Sequence, residues 1–395
     1  MTVASSSQTQ LRYIPETTWG VTPATGQTRE LRMTGETLQF QKTKDSSKEI
    51  NKQRQIRSLA TMDQQAQGAV NIEMSAYEYD WFLSALLRND WVEYGTAGVS
   101  AAIPGTFATA AGKTTFTATT APTGVDDFTT LAEGAYVGIA IAGGKITAHQ
   151  IVAAPTATEL VFPESADLPA GAATIVISSA SLKIGNIEKS CTLEKHFTDV
   201  NQFFHYKGME VSKMDLTFQP GSFMGGSFDF MGRYGGRTAA TVLPGTPEPS
   251  FPHPSMSSVT GVMDVRMSGE PIKDKYNTWI REMTMSFDNQ LEGLKALGEL
   301  GSVAVLAKEV QLTGTMAIYL TDGSLYDDFI NDVTNSLSWV VRDSQGRGYA
   351  FVLDKIDFSE MPVNAPSQGQ PVMLSPNWTG LMGEVSLNSM TIYRL

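Results

Sequence analysis

Apolar and polar positions alternate with a period of two over much of the chain. The pattern is clearest at Met214-Leu216-Phe218, Phe228-Phe230, Met283-Met285-Phe287, Leu312-Met316-Ile318, Leu337-Trp339-Val341 and Tyr349-Phe351-Leu353. Leu38 and Phe40 alternate with polar neighbours in the same way, as do Val70, Ile72 and Met74. Successive side chains of a strand point to opposite faces, so these runs predict strands with one buried and one solvated side. Helical spacing is rarer. It occurs over 77–88, where Trp81, Leu83, Ala85, Leu86 and Leu87 recur, and it predicts further helices over 291–300 and 324–332. Pro244, Pro247, Pro249, Pro252 and Pro254 predict an extended connector.

Between about 100 and 180 the composition shifts to Ala, Thr and Gly, and short β-type runs stand at 114–119, 136–141, 146–152, 159–162 and 174–178. Prolines punctuate them, and the spacing predicts a small all-β module inserted into a larger fold. The chain therefore divides into 1–99, the inserted module 100–180, and 181–395, in which the pattern of the first part resumes. A weak internal repeat runs through the two flanking parts. Its units are Leu38-Gln39-Phe40 with 68–74, Leu216-Thr217-Phe218 with 226–231, and Met285-Ser286-Phe287 with 310–316. The first and third are each followed by a helical stretch with an aromatic and acidic centre, Tyr79-Asp80-Trp81-Phe82 and Tyr326-Asp327-Asp328-Phe329. Duplication explains this pattern, and so does the general likeness of amphipathic strand pairs.

Charge narrows the function classes. The 395 residues carry a net −12, so the chain as a whole repels nucleic acid and anionic membrane. The polar N-terminus has no apolar segment of a secretory signal, and no apolar run approaches the length of a membrane span. The single cysteine, Cys191, cannot form an internal disulfide. Phosphate-binding, dinucleotide-binding, metalloprotease and serine-hydrolase motifs are absent from the sequence, which reads as no enzyme and implies no cofactor. Cys191, Glu194, His196, Asp199 and His205 lie close together, but without the paired short intervals of a structural zinc site. The more economical expectation is a buried, inert cysteine and no metal. Asp126-Asp127 and Asp327-Asp328 read as turn or helix-surface acids, and Asn377-Trp378-Thr379 as a chance sequon.

One charge feature stands out. Lys42, Lys44, Lys48, Lys52, Arg54 and Arg57 face only Asp45 and Glu49 over 42–57, a net +4 that leaves −16 on the rest of the chain. They lie in a polar stretch over 42–67 that predicts a long loop, and long loops inside compact domains are commonly functional. No aromatics interleave with the basic residues, so single-stranded nucleic acid is not the expected partner. A cationic arm on an acidic body suits head-to-tail stacking of identical copies.

The opening Ile14-Pro15-Glu16-Thr17-Thr18-Trp19-Gly20-Val21-Thr22-Pro23 and the following Leu31-Arg32-Met33-Thr34-Gly35-Glu36-Thr37-Leu38 resemble the start of tail tube (major tail) proteins of long-tailed phages with non-contractile tails. The series Ser190-Cys191-Thr192-Leu193-Glu194-Lys195-His196-Phe197, Lys207-Gly208-Met209-Glu210-Val211 and Gly226-Ser227-Phe228-Asp229-Phe230-Met231-Gly232 resembles the second half of the same family. The resemblance implies a mainly β subunit, a sandwich or barrel with a flanking α-helix, and six subunits per ring. Rings stack into a hollow tube through which double-stranded DNA passes at ejection. It further implies that 42–67 reaches the neighbouring ring, that tape measure and tail terminator or tip proteins are partners during assembly, and that the tail is assembled in the bacterial host cytoplasm and ends in the virion. Acids that fall off-phase from the apolar positions of their strands, Glu36, Glu73, Asp215, Asp229 and Asp288, are expected to face the lumen and repel phosphate. Two other classes fit the sequence less well: a secretion-type tube protein, and a β-sandwich adhesin or carbohydrate-binding protein, which would cluster exposed aromatics on one face.

Overall fold

A computed structural model describes residues 3–395 apart from 51, 260, 366 and 385. In chain order, the first part holds β1 Thr9–Pro15, β2 Arg29–Leu31, β3 Gly35–Glu36, β4 Gln39–Ser46, β5 Leu59–Glu73, helix α1 Asp80–Leu86 and β6 Val92–Glu93. A separate sheet follows, made of β7 Ile103–Ala110, β8 Lys113–Ala118, β9 Tyr136–Ile141, β10 Thr147–Gln150, β11 Glu159–Pro163 and β12 Gly171–Ser178. The chain returns through β13 Ala180–Lys183, β14 Cys191–Phe197, β15 Gln202–Phe218, β16 Gly225–Gly232 and β17 Tyr234–Thr238. The last part holds β18 Val262–Met267, β19 Glu270–Pro271, α2 Ile272–Lys275, β20 Ile280–Asp288, β21 Glu292–Lys295, β22 Ser302–Leu306, β23 Gln311–Tyr319, α3 Ser324–Ile330, β24 Asn335–Arg342, β25 Gly348–Glu360, β26 Val363–Asn364, β27 Met373–Leu374, β28 Asn377–Leu381 and β29 Thr391–Arg394. The protein is mainly β, with antiparallel sheets throughout.

The alternating runs are strands whose apolar members form one core. Val70, Ile72, Met214, Leu216, Met285, Phe287, Leu312 and Trp378 are buried from one sheet, against Leu11, Tyr13, Leu193, Trp339, Val341 and Phe351 from another. Helix α1 adds Phe82, Leu83 and Leu86 to the same core. Burial of a large apolar side chain contributes about 1.5–3 kcal/mol, so this layer is what holds the two sheets together.

The strand pairings repeat. In the first part β2, β1, β14 and the beginning of β15 lie side by side, with β17 on the far flank of β15. In the last part β19, β18, β24 and the beginning of β25 do the same, with β29 on the far flank. The ends of these two long strands enter a second sheet. There β15 pairs with β16, β16 with β5, and β5 with β3 and β4. Equivalently, β25 pairs with β28, β28 with β23, and β23 with β20. Each half also places a seven-residue helix, α1 or α3, directly after its hairpin. The repeat is thus twofold and not threefold: the Leu216 unit corresponds to β25 and β28, while the Leu38 and Met285 units correspond to each other.

The six-stranded sheet has the order β10-β9-β12-β7-β8-β11 and its own core, including Phe107, Phe116, Phe128, Phe162 and Ile175. It leaves and rejoins the fold at paired strands, since β13 lies against β6. Its seat is tight. The Tyr136 and Ser338 hydroxyls are 2.9 Å apart, and the Ile146 amide donates to the Gln345 carbonyl. A Cβ at Gly346 would stand 1.8 Å from the Ile146 carbonyl oxygen, so no larger residue fits there. Strand β7 was not legible in the sequence, because Pro104 and Gly105 interrupt its apolar alternation.

The helix expected over 291–300 is instead the hairpin β21–β22. Gly298 and Gly301 take φ of +85° and +87°, a left-handed conformation that ends helices and builds turns. The helices at 77–88 and 324–332 form, trimmed to seven residues each.

Candidate assembly surfaces

The basic stretch is a β-hairpin arm and not a loop. Register Gln39↔Gln67 through Ser46↔Leu59 zips β4 to β5, leaving 47–58 as the tip. Lys42 and Lys44 ride on β4, and Lys48, Lys52, Arg54 and Arg57 lie in the tip, all exposed. Arg57 meets Glu49 at 3.1 Å, a solvent-exposed pair of little energetic consequence. The arm also carries exposed apolar side chains: Ile50 and Ile56 are 99% and 73% exposed, and Leu59 and Met62 60% and 59%. Their signal in the sequence was apolar residues set singly within a polar, basic stretch.

The β21–β22 hairpin is the counterpart of this arm in the second half, and the two touch. Lys295 pairs with Asp63, and the Gln64 amide donates to the Leu300 carbonyl at 3.2 Å. Leu297 projects fully into solvent at its turn.

The second sheet exposes one polar face. Directly opposed residues share a face, so a single row can be followed across it. Gly35, Asn71, Ser227 and Asp215 form its first stretch. Ser286, Thr313, Thr379 and Asp357 continue it. In the neighbouring row Lys213 lies between Asp229 and Asp288. Its ammonium contacts Asp215 at 2.7 Å. The hydrogen bond that Lys213 donates to Asp215 raises the Lys213 pKa, and burial followed by the Asp215 charge raises that of the Asp229 carboxyl. Glu73 stands opposite Gly225 on the same face. Asp357, Glu282 and Glu360 share it too: the off-phase rule that found the others applies to Asp357 and Glu282, whereas Glu360 is in phase with Ile356 and Phe358 and is brought opposite Asn377 by the register shift after Phe358.

Glu36 does not belong there. It stands opposite buried Val70, on the core side of the sheet. One carboxylate oxygen contacts the Lys195 ammonium at 2.7 Å and the other accepts from the Leu38 amide. Its role is to neutralise a lysine that is itself buried.

Both margins of this sheet are open. β3 and β4 pair with β5 alone, and beyond Ile356 β25 pairs only with β28 among the described residues. Backbone donors and acceptors at such margins are left to water and offer a template for pairing with another strand.

Several of the other polar residues singled out in the sequence have local roles. Cys191 is buried and its thiol pKa is pushed up by burial. His196 stacks on Phe203 with ring centres 4.0 Å apart. Asp127 caps a short helical turn by accepting from the Thr129 amide, and Asp328 accepts from the Tyr276 hydroxyl. Among the described residues, no group of three or more His, Cys, Asp or Glu is placed to hold a metal ion, and no helix is long and apolar enough to cross a membrane.

No curated protein matches the chain. A family model described as phage tail tube protein matches residues 6–380, nearly the whole sequence. The chain therefore belongs to the phage tail tube protein family and is a structural protein of the phage tail.

Proposed function

We propose that this chain is the repeating unit of a hollow tail tube whose copies close edge to edge into rings of sixfold character. The rings stack through the β4–β5 arm, and double-stranded DNA passes through the bore at ejection. The observation that carries this reading is the pair of open margins on one continuous sheet with an acid- and hydroxyl-bearing face. Closing the sheet on itself satisfies both margins at once. Facing the polar side inward gives a wall that repels phosphate while leaving the apolar side packed. The six arm cations, with Ile50 and Ile56, then meet the acidic body of the next ring. The chain performs no chemistry in this role. A tape measure protein would fill the bore during assembly in the host cytoplasm, and terminator and tip proteins would close the two ends.

An adhesin would group its exposed aromatics. Phe223, Tyr234 and Trp279, the exposed aromatics among the described large hydrophobic residues, lie in three different segments: the β15–β16 connection, β17 and the connection from α2 to β20. The family match favours a phage tail over a secretion-type tube. Negative-stain electron microscopy of the concentrated protein tests the proposal. Hollow tubes or rings are expected, and dispersed single particles at all concentrations would refute it.

A further inference from the structure

We infer that each ring is built from three chains, each supplying two tube units, and not from six chains. The inference rests on the tube reading above and departs from the one-unit-per-chain count that the family resemblance implies. Its basis is the twofold repeat of the pairings. The junction between the halves is a strand pair, β15 against β20, in which Asp215 stands opposite Ser286. Ser286 begins the second half's stretch of the polar row, and Gly35 begins the first half's. Asp357 ends the second stretch as Asp215 ends the first.

The molecule therefore already contains one copy of a unit-to-unit contact. Its two open margins are the unmatched halves of a second copy. The end of β25 is equivalent to the end of β15, and β3 is equivalent to the end of β20. Pairing β25 of one chain with β3 of the next, with Asp357 opposite Gly35, repeats the internal junction. A chain closed in this way needs no other interface around the ring.

Ring size then follows from strand count. Each chain contributes eight strand positions to the polar row. At about 4.8 Å per strand and a tilt of about 40°, three chains give a wall about 48 Å across, and about 5 Å of side chain on each side leaves a bore of about 38 Å. Two chains leave about 22 Å, without room for water and ions around a duplex about 20 Å wide. Six chains leave about 86 Å, far more than a conduit for one duplex needs. The six-stranded module occurs once per chain, so a ring of three chains carries three protrusions on six tube units.

The test joins the two margins covalently. Gly35→Cys with Asp357→Cys places a thiol on each, and a Cβ at Gly35 meets nothing closer than the Asn71 side chain at 3.6 Å. Asp215→Cys with Ser286→Cys is the internal control, expected to oxidise within the chain and run as a monomer. Oxidised tubes of the first variant should give a non-reducing ladder that stops at three chains. A ladder extending to six chains overturns the inference, and so do intact tubes that do not cross-link. End-on images of tubes of the unmodified protein provide the independent check: three module protrusions per ring are expected, and six would refute the assignment even if the variant fails to fold. Absence of any tube from the unmodified protein would instead refute the tube reading, and the inference with it.

Discussion

Replacing Lys48, Lys52, Arg54 and Arg57 together by Glu is expected to abolish tube formation while leaving the subunit folded. The four side chains lie at an exposed hairpin tip, where substitutions ordinarily change stability by no more than about 0.5 kcal/mol. Thermal unfolding should therefore stay within a few degrees of the unmodified protein. Assembly should not survive. The tip sets four cations against a single acid, Glu49, on an otherwise strongly acidic chain, and reversal turns an attraction between ring and ring into repulsion. Sedimentation of concentrated protein is the readout, with loss of all pelletable material expected. Replacing Ile50 and Ile56 by Ser separates the apolar contribution: partial loss is expected, because these side chains would be buried only in the stacked state. Tubes from the reversed variant at the unmodified yield would remove the arm from the ring-to-ring contact.

Reversing Asp229 and Asp288 to Lys should leave assembly intact and slow DNA ejection by about tenfold or more at low salt, with the difference shrinking as salt rises. Asp215 is kept because its contact with Lys213 is part of the wall itself. Lysines at those positions would gain phosphate contacts and release counterions, and that term falls steeply with ionic strength. Substitution by Asn removes repulsion without adding attraction, so a smaller effect is expected. Acid should act in the same direction. The Asp229 carboxyl sits above its ordinary range through burial and the neighbouring Asp215. As pH falls through its raised pKa it protonates before an unperturbed aspartate would, and the wall loses negative charge there first. Ejection rates independent of both charge and pH would show that this face does not line the bore.

Much of the fold was legible because alternation is a direct consequence of strand geometry. Met214-Leu216-Phe218 and Met283-Met285-Phe287 are buried as the period of two requires, and the two strands that carry them are neighbours. Pairing partners were not legible. The likeness between the Leu38 and Met285 units was visible, but the Leu216 unit looked equally similar until the ladder showed it to be the opposite flank of the same sheet. Local pattern reports burial and says nothing about which edge meets which.

The arm illustrates a second limit. Polar composition over 42–67 suggested a loop, yet β4 and β5 pair there because backbone hydrogen bonds in a hairpin need no apolar face. Glu36 illustrates a third. It is off-phase in sequence, but β3 is two residues long, and Lys195 from a distant strand draws the carboxylate inward. The helix expected over 291–300 failed on its glycines, whose φ values suit a turn.

In the proposed tube the two bare sheet margins are completed by identical chains. Amide hydrogen exchange at β3, β4 and the end of β25, compared between dispersed and assembled protein, tests it most directly. Rapid exchange at these margins is expected in the free subunit and strong protection in the tube, with little change at the internal β15–β20 junction. Equal exchange at the margins in both states would contradict it.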